Sequence, residues 1–331
     1  MSTTTTITTT TPWLLYAYPW QPFPRRVIIY LRERKIPSSL VTVVHVTDVQ
    51  FGGETPEEFP PKPPGSLPIL AIPNAAPGGE SKGDSFIYIK QSIAIMEFLE
   101  DACVTGRWGF PTLPQPPTLR LPISTPLLDD GVSASTVGGD GDGGYKQGVP
   151  PLLAARHGEL LSLANGLTDS WNPIRTFGSG TGTMRIPAAA REMLGWTRRS
   201  LLAIENWFEE NGYSSTDLRW TESENINGNS DQHNEGNRQA TIAEIVLFQF
   251  FDFTRDCYGV DMTRSSGKKV TDVYGREVLE RYPRLERFYK DFSTRPSARR
   301  LAELGDVPQE SWVRSMTDWS EGIFDEQERE G

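Results

Sequence analysis

Trp13-Leu14-Leu15-Tyr16-Ala17-Tyr18-Pro19-Trp20-Gln21-Pro22-Phe23-Pro24-Arg25-Arg26-Val27-Ile28-Ile29-Tyr30-Leu31 decides the reading of this chain. Trp13–Tyr18 is a short apolar and aromatic run, the pattern of a strand. Pro19 to Pro24 is a proline-rich turn. Phe23, Val27, Tyr30 and Leu31 then recur at helical spacing. Pro22 suits the first helical position, and Pro37 lies just past the last turn. The β-branched run Leu40–Val46 reads as a second strand. Residues 52–66 are a loop dense in Gly, Pro and Glu. Leu67–Ile72 is apolar and ends at Pro73, and Phe86–Ile89 is a further strand after the polar turn Gly78–Asp84. Gln91-Ser92 opens a helix through Ile93, Ile95, Met96, Phe98 and Leu99. Strand, helix, strand, loop, strand, strand, helix describes an α/β unit of about 90 residues.

Beyond it the pattern changes. Residues 111–150 are rich in Pro, then in Gly and Asp (Gly138–Gly144), and read as a long insert or linker. From 151 the chain is helical. Leu152–Thr168 has apolar positions at helical spacing, and Pro187 starts a helix carrying Met193, Leu194, Leu201, Leu202, Ile204, Trp207 and Phe208. A second polar insert spans 214–237. Thr241-Ile242-Ala243-Glu244 matches a capping box. Ile245–Phe253 is apolar nearly all round, which places it inside a helical domain. Tyr282–Phe292 and Ala298–Leu304 are the last helices, before an acidic tail over 305–331. A Thr-rich low-complexity tail covers 1–12.

With 331 residues, the chain is long enough for about two domains. The net charge of −10 argues against a nucleic-acid partner, which needs clustered cations. Much of that charge is local: residues 303–331 hold nine acids and two bases, which leaves the rest at −3. Two cysteines far apart, Cys103 and Cys257, exclude a disulfide framework and Cys-cluster metal sites. Three histidines make a His-built metal site a poor expectation, so no metal is expected. The start of the chain lacks the basic and apolar regions of a signal peptide. No stretch approaches 18 apolar residues, so no membrane span is expected and the expected compartment is the reducing cytoplasm.

A small α/β domain followed by an all-α domain, with these residues, resembles the cytosolic glutathione transferases, in particular the branch with a Cys-Pro-Phe active turn and fungal GST-like proteins. Tyr18-Pro19-Trp20-Gln21-Pro22-Phe23 with Arg25-Arg26-Val27 is similar to the active turn and first helix. Ser66-Leu67-Pro68-Ile69-Leu70 is similar to the family's cis-proline strand. Gln91-Ser92-Ile93-Ala94-Ile95 is similar to the glutathione-binding serine and its helix. The capping box and the stretch from Tyr282-Pro283-Arg284-Leu285 to Arg295-Pro296-Ser297 resemble parts of the helical domain. The resemblance implies a thioredoxin-like domain over 13–110, a linker over 111–150 and a helical domain over 151–304, with two inserts that depart from the family. It also implies detoxification or secondary metabolism and a possible homodimer.

The resemblance assigns glutathione, as co-substrate, to Leu67, Pro68, Gln91 and Ser92. A helix N-terminus offers N–H groups and a positive dipole end to an anion, and Ser92 stands there; the alternative is that it only caps its own helix. Leu67, before a cis Pro68, would pair its backbone with the cysteinyl part; the alternative is a trans proline at a strand start. Gln21 replaces the family's cysteine, so mixed-disulfide chemistry is excluded there. Its amide can still donate to a glutathione thiolate, or it is a turn residue with no role. Tyr18, with Tyr16, is a second catalytic candidate, against a core or rim aromatic. Arg25 and Arg26 could attract an anionic ligand; the alternative is a solvated face or an inter-domain bridge. Trp171, Arg175 and Phe177, followed by a Gly-rich loop, are the substrate candidates for the electrophile. Two functions stay open: conjugation or a glutathione-assisted isomerisation, ether cleavage or dehalogenation, and a non-catalytic ligand-binding or scaffold protein.

Overall fold

The computed structural model describes residues 12–47, 53–73, 86–105, 151–179, 184–220, 238–311, 313 and 323–324. The Thr run, the 111–150 insert and most of the 214–237 insert lie outside the described residues. The chain forms two compact units, Met1–Pro116 with Arg299–Pro308, and Pro117–Ala298 with Gln309–Gly331.

In the first unit, β1 (Trp13–Ala17), α1 (Pro22–Glu33), β2 (Val41–His45), β3 (Ile69–Pro73), β4 (Phe86–Lys90) and α2 (Ser92–Thr105) follow one another. The sheet order is β2-β1-β3-β4. β1 is parallel to β2 and antiparallel to β3, which is antiparallel to β4. All five residues of β1 are buried. Leu14 and Tyr16 join Val44, Val46, Ile69 and Ala71 in one core cluster, closed by Phe59, Leu67 and Phe86. Trp13 on the opposite side stacks on Phe98 of α2 at 5.7 Å.

Arg25 and Arg26 are not on a solvated face: both are fully buried. Arg25 meets Asp306 at 3.0 Å, Arg32 meets it at 2.6 Å, and both guanidinium groups also donate to the Arg299 carbonyl. Residues 299–308 thus return to the α/β unit. Asp306 falls within the acidic stretch read as tail, yet its side chain is 1% exposed because a carboxylate between two guanidinium groups can leave water.

The second unit holds α3 (Pro151–Ser179), α4 (Pro187–Glu210), α5 (Ile242–Tyr258), a hairpin of β5 (Lys269–Thr271) and β6 (Glu277–Leu279), and α6 (Pro283–Ser293). Expected to give way to a loop, α3 instead continues through Pro173 to Ser179. Leu160, Ala164, Leu167, Trp171 and Ile174 are all buried at helical spacing, and this stripe carries the helix past the missing N–H. The hairpin is unannounced in the sequence, since three-residue strands are too short to show alternation. Its turn is held by Asp272, whose carboxylate accepts from the Tyr274 and Arg276 N–H groups, and by Gly275 at φ 78°. Glu205 on α4 accepts from the free Arg284 and Leu285 N–H groups, both at 3.0 Å, and so caps α6.

The capping box forms. Thr241 accepts from the Glu244 N–H, and Glu244 accepts from the Thr241 N–H at 2.8 Å. Glu244 is fully buried and also accepts from Tyr213 at 2.6 Å and Arg238 at 2.5 Å. Burial pushes its pKa up, but Arg238 and these donors outweigh that and hold it at about 2. A carboxyl with a depressed folded pKa stabilises above its unfolded value of 4.5 and loses that contribution as pH falls toward 2. Urea unfolding at pH 7 is expected to show Glu244→Ala less stable by about 3–5 kcal/mol. Between about pH 4.5 and 2 that gap should shrink, whereas a purely steric defect would leave it unchanged.

Candidate functional site

The strand register assembles the site. Tyr16 pairs with Ile69, and Ile69 pairs with Lys90. Continuing one residue along each strand brings the C-terminal end of β1, Pro68 and Gln91 to the same end of the sheet. Both helices of the unit start there, α1 at Pro22 and α2 at Ser92. Five of the residues expected to bind glutathione or activate it, Gln21, Leu67, Pro68, Gln91 and Ser92, therefore share one end of the sheet.

Gln21 is the N-cap of α1, with extended backbone (φ −68°, ψ 151°) and no capping bond from its side chain. Its N–H donates to Tyr18 O at 3.0 Å, and its carbonyl accepts from the Arg25 N–H at 2.9 Å. The amide is half-exposed and unused by the helix it precedes. Pro22 and Pro24 leave the first turn of α1 with two fewer donors. Arg26 lies over the Phe23 ring at 4.9 Å.

The Leu67–Pro68 bond is cis. The proline-rich loop before it is pinned by two lysines. Lys62 donates to the Pro63 and Gly65 carbonyls at 3.0 Å, and Lys90 donates to the Pro64 carbonyl at 2.7 Å. Neither lysine stands out in sequence: Lys62 lies between Pro61 and Pro63 in the loop, and Lys90 ends β4.

Gln91 has φ +75°, a left-handed conformation uncommon outside glycine, and its carbonyl accepts from the Ile95 N–H at 3.0 Å. This conformation turns the chain abruptly from β4 into α2. Ser92 becomes the first helical residue and is buried.

The two tyrosines divide. Tyr16 belongs to the core, donating to the Pro60 carbonyl at 2.9 Å, and burial followed by the Tyr88 phenol raises its pKa. Tyr18 lies just past β1, half-buried, 5.1 Å from the Trp20 ring. Cys103 is buried, and burial with the nearby Glu100 pushes its thiol up to about 11. Cys257 is fully buried. Neither has the access of a nucleophilic thiol.

In the second unit, Trp171 is 1% exposed, edge-on to Phe250 and Tyr258 and stacked on Phe324 at 5.8 Å. Arg175 and Phe177 follow on α3, both half-buried. Arg175 lies close enough to Tyr258 to oppose the rise that burial gives its phenol. Gly180–Gly182 lie outside the described residues.

A β-α-β arm followed by a β-β-α arm around one mixed sheet defines a thioredoxin-like domain, here followed by a helical unit. Residues 20–102 match the family model described as glutathione S-transferase, N-terminal domain. A comparison with curated proteins gave no match. Among solved structures, the chain is similar to a glutathione S-transferase from Methylobacillus flagellatus with GSH bound, at 15% identity over 90% of this chain and 100% of that one, TM-score 0.44. It is also similar to maleylacetoacetate isomerase from Anaeromyxobacter dehalogenans with bound dicarboxyethyl glutathione and citrate, at 16% identity over 88% and 96%, TM-score 0.43. Glutathione transferase Omega 2C from Trametes versicolor is 17% identical over 95% and 100%, TM-score 0.44. Within the first unit, residues 20–102 are thus similar to a glutathione S-transferase N-terminal domain.

The relative placement of α1 and α2 depends on Glu100. It accepts from Arg34 at 2.7 Å and from the Tyr30 hydroxyl at 2.5 Å, with Tyr30 buried on α1 and Arg34 buried at its C-cap. Burial and then the Glu100 charge raise the Tyr30 pKa, so the phenol stays a donor. Glu100→Ala removes the hydrogen-bonded carboxylate from a buried guanidinium and is expected to cost about 3–5 kcal/mol in urea unfolding. A loss under about 1 kcal/mol would equate the pair with an exposed ion pair.

Proposed function

We propose that this protein binds glutathione at the sheet end formed by Leu67, Pro68, Gln91 and Ser92 and promotes attack of its thiolate on a small electrophile. The observation that carries the reading is Ser92 at the start of α2, directly after the left-handed Gln91, which the register brings level with Pro68. The α2 N-terminus and the Ser92 hydroxyl suit the γ-glutamyl carboxylate. Gln91 meets the same end of the ligand, and the Leu67 backbone pairs with the cysteinyl part.

Gln21 brings no nucleophile, so no covalent enzyme–glutathione disulfide enters the mechanism. Its uncommitted side-chain N–H donates to the glutathione sulfur and favours the thiolate by hydrogen bonding to the charged form. Tyr18 is the second donor candidate. Trp171, Arg175 and Phe177 are the side chains we assign to the electrophile. Conjugation, isomerisation, ether cleavage and dehalogenation all begin with this thiolate. A homodimer and a cytoplasmic site of action in detoxification or secondary metabolism belong to the same reading.

Pro22 and Pro24 favour a second reading, a glutathione-transferase-like binding or scaffold protein without catalysis, because they remove two of the donors that stabilise a thiolate at a helix start. Calorimetry with glutathione and turnover of an aryl chloride separate the two. Ser92→Ala should weaken glutathione about 10- to 100-fold, the value of a hydrogen bond to a charged group. Gln21→Ala should lower turnover at saturating glutathione by about tenfold or more with little change in Kd. Glutathione binding without turnover supports the second reading; no binding rules out both glutathione-based versions.

A further inference from the structure

Strand β2 ends the sheet, and its outer edge is open where it counts. Trp13 N–H donates to Leu40 O at 2.9 Å, and Val46 N–H donates to Ala17 O at 2.8 Å. In a parallel pair alternate residues turn their peptide groups toward the partner. Leu40, Thr42, Val44 and Val46 therefore face β1, while Val41, Val43 and His45 turn theirs outward. At the start of this edge the Val41 N–H is taken by Pro37 O at 3.2 Å. Past its end Thr47 and Glu54 exchange two bonds at 2.9 Å. Between these points, among the described residues, no strand pairs with the outward groups of Val43 and His45. Val41-Thr42-Val43-Val44-His45 also lacks the Lys, Glu, Pro or bulge that usually guards an edge.

A groove of about 450 Å³ runs along this edge, entirely within the first unit. Ile28, Leu31, Val43 and Leu304 make it apolar. Leu304 is 44% exposed, unusual for a leucine with an apolar surface beside it. Next to the groove, Gly305 packs on the His45 ring so closely that a Cβ would come within 2.9 Å of it. Its charges are Arg32 and Lys35 against Asp306. Asp306 is already engaged by Arg25 and Arg32, which leaves exposed Lys35 with no carboxylate among the described residues.

We propose that the β2 edge and its groove bind an extended peptide from a partner protein, with apolar residues at alternate positions and an acidic residue over Lys35. Added as a strand, such a peptide satisfies the outward peptide groups of Val43 and His45. Every second side chain then enters the groove, because successive side chains of a strand alternate faces. Main-chain bonds supply affinity and the groove supplies selectivity. A second copy of this chain fits less well, since its own β2 edge, Val41-Thr42-Val43-Val44-His45, brings no carboxylate to Lys35. Nothing in this proposal depends on glutathione.

The probe is a fluorescein-labelled peptide of alternating valine and threonine with one terminal glutamate, titrated by anisotropy against the full chain. Saturable binding with Kd on the order of 10–100 µM is expected. The same peptide N-methylated at alternate amides should bind at least tenfold more weakly, because it keeps the side chains but cannot complete the ladder. Leu304→Glu and Lys35→Glu, both at exposed positions, should each weaken binding at least tenfold while the circular dichroism spectrum is unchanged. No binding at millimolar protein, equal binding of the methylated peptide in both its registers, or indifference to both substitutions would overturn the proposal. So would a concentration-dependent dimer in sedimentation that Val43→Lys abolishes, which would assign the edge to a second copy.

Discussion

Burial of β1 on both faces is the constraint on which the first unit depends. Five consecutive buried residues cannot be served by one layer. Leu14 and Tyr16 pack against the loop that leads to Pro68, and Trp13 packs against α2. At about 25 cal/mol per Å² of apolar area removed from water, such a strand fixes its neighbours' register, because a one-residue slip would turn every side chain to the wrong layer. With that register fixed, the ends of β1, β3 and β4 and the starts of both helices meet at one place. The candidate site is a consequence of how the central strand is buried.

Charge inside the protein sets where the elements stop. Arg25 and Arg32 draw Asp306 into the α/β unit, and Glu100 fastens α1 to α2. Glu244 closes the start of α5, and Glu205 closes the start of α6 from a neighbouring helix. Buried pairs of this kind contribute little net stability against an apolar replacement, but losing one partner is costly. Their contribution is to placement: each permits one arrangement of the helices it joins.

The α/β order, the helical second half and the capping box were legible in the sequence because each is written in local periodicity or a short spacing. The candidate glutathione residues were legible through the resemblance of their motifs, and the register brings them to one end of the sheet. Arg25 and Arg26 were not legible. Arginines on a helix look solvated unless the groups that meet them are known, and the Asp306 carboxylate that meets Arg25 lies some 280 residues away. The hairpin and the run of α3 past Pro173 were missed for related reasons. Three-residue strands carry no period, and a proline ends a helix unless buried neighbours hold it.

Sequence alone determined the order of strands and helices in the first unit and the capping box of α5, and it determined that residue 21 offers an amide and no thiol. Tertiary structure decided which charges leave water, which tyrosine joins the core and which strand is left with an open edge. The division has one physical cause. Propensity and periodicity act between residues a few positions apart, whereas desolvating a charge or completing a sheet requires a partner that only the folded chain brings within bonding distance.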